Sequence, residues 1–157
     1  MRLEYFQLID RILEISLEDR TIRTEATVPS ESTIFAGHFP GLPLMPGALL
    51  IESMAQTAGW LVVALRSFER MPFFIGANDV KLRRFVKPGE RLAGEASLVH
   101  DGSGYAVTRA RLTGEGKPVC EAEIRFRTVP FPNAEFRAHM EGAAKQLAFP
   151  LGAMIHG

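Results

Sequence analysis

The sequence predicts an α+β fold in which one long helix, apolar nearly all round, lies at the centre of a curved antiparallel sheet. Three observations lead there. Glu52 is the only charge in the long apolar stretch that begins near Pro46, and good helix formers fill that stretch. A helix with no polar face belongs inside a wrapped sheet rather than on a surface. Before it, residues 21–28 alternate, with Ile22, Ala26 and Val28 on one face and Arg23, Glu25 and Thr27 on the other, the period of a half-buried strand. After it, apolar segments are separated by Asp101-Gly102-Ser103-Gly104 and Gly114-Glu115-Gly116-Lys117, the turn chemistry of a meander.

Taken in order, Leu3, Phe6 and Leu8 suggest a short opening helix or turn, and residues 12–17 and 21–28 read as strands. Pro40, Pro43 and Pro46 recur at every third position, each fixing φ and disfavouring helix at the residue before it, so residues 39–45 are expected to form a stiff, extended loop. The helix begins near Pro46 or Gly47, because proline suits a first turn where its missing N–H removes no hydrogen bond. Residues 73–76 and 80–86 read as short strands, and Pro88-Gly89 supplies a turn. The meander strands follow at 92–100, 105–112 and 119–127, each of about nine residues and so long enough to curl around a helix. A helical pattern returns at 134–147.

The chemistry concentrates where the proline-rich loop meets the helix. His38 is braced by that loop. The first amides of the helix lack intrahelical partners and lie at the positive end of its dipole, and Gly47 has no side chain to obstruct a substrate oxygen approaching its N–H. Glu52 lies about a turn and a half further on, in line with Gln56 and with Gly59 and Trp60. A carboxyl buried on an apolar surface is costly unless used or paired, and desolvation pushes it towards the range of a general acid. One segment thus offers an imidazole, a carboxyl and an anion-stabilising amide.

The string GHFPGLPLMPGALLIESMAQ, residues 37–56, resembles the signature of the FabZ-type 3-hydroxyacyl-[acyl-carrier-protein] dehydratases, whose fold is the hot dog: a long helix wrapped by a curved antiparallel sheet. Ile9-Asp10-Arg11-Ile12-Leu13-Glu14 resembles the family's early strand, the run from Lys81 through Arg84 and Phe85 to Glu90 its central strand and turn, and Val119-Cys120-Glu121-Ala122-Glu123 its last strand. The resemblance covers residues 9 to about 128. It implies His38 as the catalytic histidine, Glu52 as the catalytic carboxylate and Gly47 as the backbone donor to the thioester carbonyl. Phe39, Pro46 and Phe73 are the candidate substrate contacts, Phe73 falling where some members carry a gating aromatic. Glutamate at 52 also favours this branch over the related dehydratase/isomerases, which carry aspartate there. Two departures bear on substrate preference and entrance shape: residues 1–8 lack the Pro-His-Arg-x-Pro-Phe lead-in, and Phe85 stands where proline is common.

The implied reaction is loss of water from a 3-hydroxyacyl thioester, with no cofactor, since phosphopantetheine arrives on the carrier. The implied partners are acyl carrier protein and further copies of this chain, as a dimer whose sites take His and Glu from different subunits and as the trimer of dimers that the family often forms. Carrier docking calls for a basic patch, and Lys81, Arg83, Arg84, Lys87 and Arg91 are its candidates; a solvated strand face is the plainer reading of Arg83 and Arg84. The alternatives are a hot-dog acyl thioesterase, with Glu52 activating water, and a non-catalytic acyl-binding subunit. Acyl chain length stays open, as does the choice between housekeeping fatty-acid synthesis and a specialised route such as acyl chains for lipid A.

Composition agrees with such an enzyme. The 157 residues, 46% of them hydrophobic, fit a dehydratase domain at 1–129 and an extension at 130–157, which either packs on a neighbouring subunit, covers the acyl tunnel or frays. A formal net charge of zero gives no reason to expect nucleic acid or a membrane surface. Pro46, Glu52, Ser53, Gln56 and Thr57 argue against reading residues 44–65 as a membrane span. Cys120 is the single cysteine, which rules out an internal disulfide and reads as a small core residue. With no basic leader followed by an apolar run, a reducing cytoplasm is the expected compartment. His100, His139 and His156 are read as structural, Met54 and Trp60 as core, and Tyr105 as sheet packing.

Overall fold

Residues 1–151 are described by a computed structural model. A 3₁₀ turn at Leu3–Tyr5 precedes strands β1 (Arg11–Ser16) and β2 (Thr21–Thr27), a short helix α1 (Thr33–Gly37), the long helix α2 (Gly47–Leu65), strands β3 (Arg70–Leu82), β4 (Arg91–Gly102), β5 (Tyr105–Gly114) and β6 (Lys117–Pro130), and helix α3 (Ala134–Gln146). The strands form one antiparallel sheet in the order β1-β2-β4-β5-β6-β3. This is the helix-in-a-sheet arrangement that the sequence implies.

The position of α2 follows from its composition. It is long and apolar enough to cross a membrane, yet 72% of its apolar window is buried inside this fold. Met54, Ala58, Leu61 and Val62 are almost fully enclosed. The sheet meets it with small and large side chains together: Ala96, Ala106, Ala110 and Ala122 are buried on its concave face beside Ile22, Leu112, Ile124 and Phe126. At the closest approach, Thr24 on β2 and Thr57 on α2 join hydroxyls at 2.9 Å. Gly94 on β4 makes room for them, since a Cβ there would stand 2.4 Å from the Thr24 hydroxyl and 2.9 Å from that of Thr57. Cys120 is a core residue as expected, its thiol 3.7 Å from the Met54 sulfur and pushed up to about 12 by burial.

The convex face is polar and ordered. In strand order, Glu14, Arg23, Glu95, Arg111, Glu121 and Lys81 occupy successive register positions, so one row of alternating charge crosses all six strands. Cross-strand pairs of opposite sign each contribute about 0.2–1 kcal/mol and penalise a register slip.

Several expectations are corrected. The two short strands expected at 73–76 and 80–86 are one, β3, which tolerates Pro72 because it lies at a sheet edge and accommodates Gly76 and Asp79 through irregular register. Residues 39–45 are not extended throughout: Phe39 and Leu42 exchange two 2.9 Å backbone hydrogen bonds across a turn, with Gly41 at φ +75°. The helix α1 was not anticipated. Ser32 caps it by accepting from the Ile34 N–H, and Glu4 accepts from the Ser32 hydroxyl at 2.6 Å and the Thr33 N–H at 2.9 Å. The extension packs on its own chain: Ile12 N–H donates to the Leu147 carbonyl at 2.8 Å, and Ala144 and Phe149 join the same core as α2.

Arg84 is also reassigned. Its guanidinium is ion-paired with Glu90 and donates to the Gly114 carbonyl at 2.9 Å. Hydrogen bonding from Arg84 outweighs burial and holds the Glu90 carboxyl below its usual range, while Glu90 in turn raises Arg84. Its role is to fasten the 83–90 segment to the β5 end rather than to dock a partner.

Two outcomes are expected. Gly94→Ala forces the Thr24–Thr57 contact apart and lowers unfolding stability by about 1–3 kcal/mol, read as a lower urea midpoint; an unchanged midpoint shows that the close approach does not limit packing. Hydrogen bonds from Ser32 and Thr33 hold Glu4 at about 2, against an ordinary 4.5. A lowered carboxyl stabilises the fold above its unfolded value and loses that contribution as pH falls, so α1 loosens between about pH 4.5 and 2. Amide exchange at Thr33 and Ile34 follows that window, and Glu4→Gln removes the pH dependence.

Candidate active site

His38 is fixed at three points. As the residue capping the end of α1, it donates its backbone N–H to Ile34; its carbonyl accepts from Leu44 N–H at 3.0 Å; and its ring Nδ1 lies 3.0 Å from the Leu44 carbonyl. A carbonyl only accepts, so Nδ1 carries the proton and Nε2 keeps its lone pair, which is the tautomer of a base. The ring stacks on Phe39 at 4.0 Å. Met45 N–H donates to the Val86 carbonyl at 2.8 Å, tying the loop to the segment after β3. Phe39 is thus a half-exposed support for the imidazole, and Pro46 is the residue that caps α2.

Gly47 opens α2, as expected, and its glycine has a structural reason beyond substrate access. A Cβ there would stand 2.6 Å from Cδ1 of the half-exposed Leu82 side chain, so glycine lets the helix start meet the end of β3 without displacing it. Its N–H is one of the first amides of a 19-residue helix, which have no intrahelical acceptor.

Glu52 faces a cavity of about 550 Å³ between the N-terminal segment, α2, β3 and α3. The carboxyl expected to be buried is half-exposed in the single chain. Gln56, one turn on, donates from Nε2 to Glu52 Oε1 at 3.0 Å and to the Phe6 carbonyl at 2.6 Å, while its Oε1 accepts from Leu8 N–H at 3.1 Å. Gln56 therefore orients Glu52 and anchors residues 6–8 together. Sequence reasoning placed it on the right helical line without giving it a role.

Neither His38 nor Gly47 lines the Glu52 cavity, so a single chain holds the imidazole and the carboxyl at separate places. Phe73 is also outside the cavity and is 58% exposed. Its neighbour Phe74 lines the cavity instead and packs against Phe126, because successive strand residues point to opposite faces. Trp60 serves both purposes: it packs against Phe149 and lines the cavity. His100 is exposed, His139 on α3 lies beside the cavity, and His156 lies outside the described residues.

The basic cluster is largely paired. Lys81 and Arg83 both reach Glu121, at 3.6 and 2.8 Å, and Arg91 pairs with Glu25 at 3.2 Å. Among the described residues Lys87 is exposed and makes no ion pair, and it stands near Phe85, which is 77% exposed. Lys81, Arg83, Lys87 and Arg91 are the cations of this cluster that still face solvent.

Comparison with known proteins agrees with the fold and the family. Residues 2–123 match the family described as FabA-like domain. The chain is 36% identical over 122 residues to the 3-hydroxyacyl-[acyl-carrier-protein] dehydratase FabZ of Caldicellulosiruptor saccharolyticus, covering 77% of this chain and 86% of that one. Among solved structures, the dehydratase heterocomplex ApeI:P of Xenorhabdus doucetiae superposes with a TM-score of 0.63 at 16% identity, over 87% of this chain and 90% of that one. A hypothetical thioesterase of Streptococcus pneumoniae with coenzyme A gives 0.60 at 17% identity, over 78% and 88%. At those identities the structures establish the fold, and the sequence match establishes the family: this chain belongs to the FabA-like family, as a FabZ-type hot-dog protein.

Proposed function

We propose that this protein dehydrates 3-hydroxyacyl-[acyl-carrier-protein] to the trans-2-enoyl thioester in fatty acid biosynthesis. The observation that carries the reading within the site is the His38 tautomer: Nδ1 is committed to the Leu44 carbonyl, which leaves Nε2 as a base beside the loop that leads into Gly47. Nε2 takes the C2 proton, and the Gly47 N–H holds the oxygen on which negative charge develops. Glu52, in its protonated form, gives a proton to the leaving C3 hydroxyl. The C2–H and C3–O bonds break, the C2=C3 bond forms and water departs; proton transfer from His38 to Glu52, directly or through water, restores both groups. Acid–base help is worth about 10²–10⁴ in rate and one oxyanion donor about 10²–10³.

The working unit in this reading is a dimer. Separation of His38 from the Glu52 cavity supports a site completed by a second copy, and β3 supplies the surface for it: an edge strand with Phe73, Phe74 and Ile75 each about half-exposed. Association into a trimer of dimers and a cytoplasmic location belong to the same proposal. Acyl carrier protein docks against Lys81, Arg83 and Lys87, with Phe85 as an apolar contact.

Purified protein incubated with 3-hydroxyacyl-acyl carrier proteins and read by mass spectrometry is expected to show loss of water. His38→Ala abolishes that loss with folding intact, and Glu52→Gln cuts it by about 10²-fold or more with carrier binding retained. Release of free acid instead supports a thioesterase, and binding without turnover supports a silent acyl-binding subunit.

Charge reversal separates the docking residues from the structural one. Arg83→Glu weakens carrier binding in a salt-dependent way. Arg84→Glu strands Glu90 and lowers thermal stability at every salt concentration tested. Equal effects of the two on binding, with no loss of stability, overturn the reassignment of Arg84.

A further inference from the structure

We propose that α3 forms a wall of the acyl subsite and sets which chain lengths the enzyme accepts, an inference that rests on the dehydratase reading above. The family match ends at residue 123, and α3 begins at Ala134, so this helix lies outside the shared domain. It nevertheless borders the cavity that Glu52 faces, contributing Met140, Ala143 and Leu147 opposite Trp60 and Phe74.

Several features identify the occupant as an acyl chain. The volume, about 550 Å³, falls within the roughly 300–1,000 Å³ of small-molecule sites. Apolar side chains from the N-terminal segment, α2, β3, β6 and α3 line its wall, with polar groups such as Arg2, Asp10 and Gln146 also on its lining, and the carboxyl assigned to proton transfer faces it. The helix is held there rather than laid loosely across: Ala144, one residue beyond Ala143, is fully buried, and Phe149 packs edge-on against Phe68. The Leu147 carbonyl is bonded to β1. The wall is anchored at and beyond its C-terminal turn by Ala144, Leu147 and Phe149, and before its first turn by Phe131, which stacks on Phe68 at 5.9 Å, so its side chains limit the depth of the subsite. Ala143, the smallest of the three, is where added bulk takes space from the cavity and not from the core.

The test compares wild type, Ala143→Phe, Met140→Phe and, as a control for bulk on the solvent side of α3, Lys145→Phe. Turnover is measured with 3-hydroxybutyryl- and 3-hydroxymyristoyl-acyl carrier protein. Occupancy is measured separately by titrating the emission of Trp60, the single tryptophan, with a decanoyl N-acetylcysteamine thioester, which lacks the hydroxyl and does not react. Each cavity variant is expected to lower kcat/KM for the myristoyl substrate relative to the butyryl one by tenfold or more, and to remove the saturable Trp60 response. Lys145→Phe changes neither. If wild type binds the thioester through Trp60 but loses no water from any substrate, the dehydratase reading fails and the acyl wall stands. If wild type dehydrates and both cavity variants keep its length profile and its Trp60 response, the wall fails. Dissociation of a dimer by both variants with an unchanged profile shows that the cavity seats a second copy, which also overturns it. Met140→Phe keeps the test decisive should Ala143→Phe not fold.

Discussion

Burial of α2 is the constraint on which the rest of this structure depends. A helix of 19 residues with a single charge has no face to give to water, so the sheet has to surround it. A sheet closes that tightly only if its inner surface is thin. The inner surface is thinned where Thr24 and Gly94 meet Thr57, while Ile22, Leu112, Ile124 and Phe126 fill the core beside the alanines. The same burial fixes the chemistry, because both ends of the proposed mechanism are attached to this helix: the free amides at its start and the carboxyl on its flank.

The groups around the site are fixed by polar contacts between segments far apart in sequence. Glu4 closes the start of α1, and α1 ends at His38, so the N-terminal segment helps to set the imidazole. Gln56 bonds that same segment and Glu52. The imidazole and the carboxyl therefore share one support, the first eight residues, although they do not share a cavity. Such a support explains how a protein whose residues 1–8 depart from the usual lead-in of its family still orders Glu52: hydrogen bonds to backbone atoms at Phe6 and Leu8 do not depend on which side chains stand there, whereas the imidazole relies on the carboxylate of Glu4.

Elements with a strong period were legible in the sequence. The apolar run and Pro46 located the start of α2 to within a residue, alternation located β2 to within a residue, and the glycine-containing turns located β4, β5 and β6 with ends short by a few positions. What escaped detection was set by distant partners. α1 has five residues, too few to show a period, and depends on a carboxylate 29 positions before Thr33. β3 was cut in two because Pro72 and Gly76 are breakers in a local reading but are tolerated at an edge with irregular register. In the site, His38, Gly47 and Glu52 stood out by residue type and setting, whereas Phe73 was preferred to Phe74 because one-residue alternation decides which aromatic enters the cavity. The basic cluster looked uniform in sequence. Only the fold separates Arg84, neutralised by Glu90, from Lys87.

In the proposed mechanism, the division of the site between two copies accords with helix geometry. Gly47 and Glu52 are five residues apart, which in an α-helix is a rise of about 7.5 Å and a rotation of about 140°. The amides at the helix start point along its axis, while Glu52 projects from its side into the cavity bounded by α3. His38 is tied to the loop that enters the helix and cannot follow the carboxyl around it, since its ring and backbone are both bonded to Leu44. A substrate that needs base and acid within reach of adjacent carbons is served by the amide and imidazole of one copy and the carboxyl of another. On that argument the exposed edge of β3 belongs to the proposed catalytic design: the strand proposed to bring two copies together also carries Leu82, which lies against Gly47 at the start of α2.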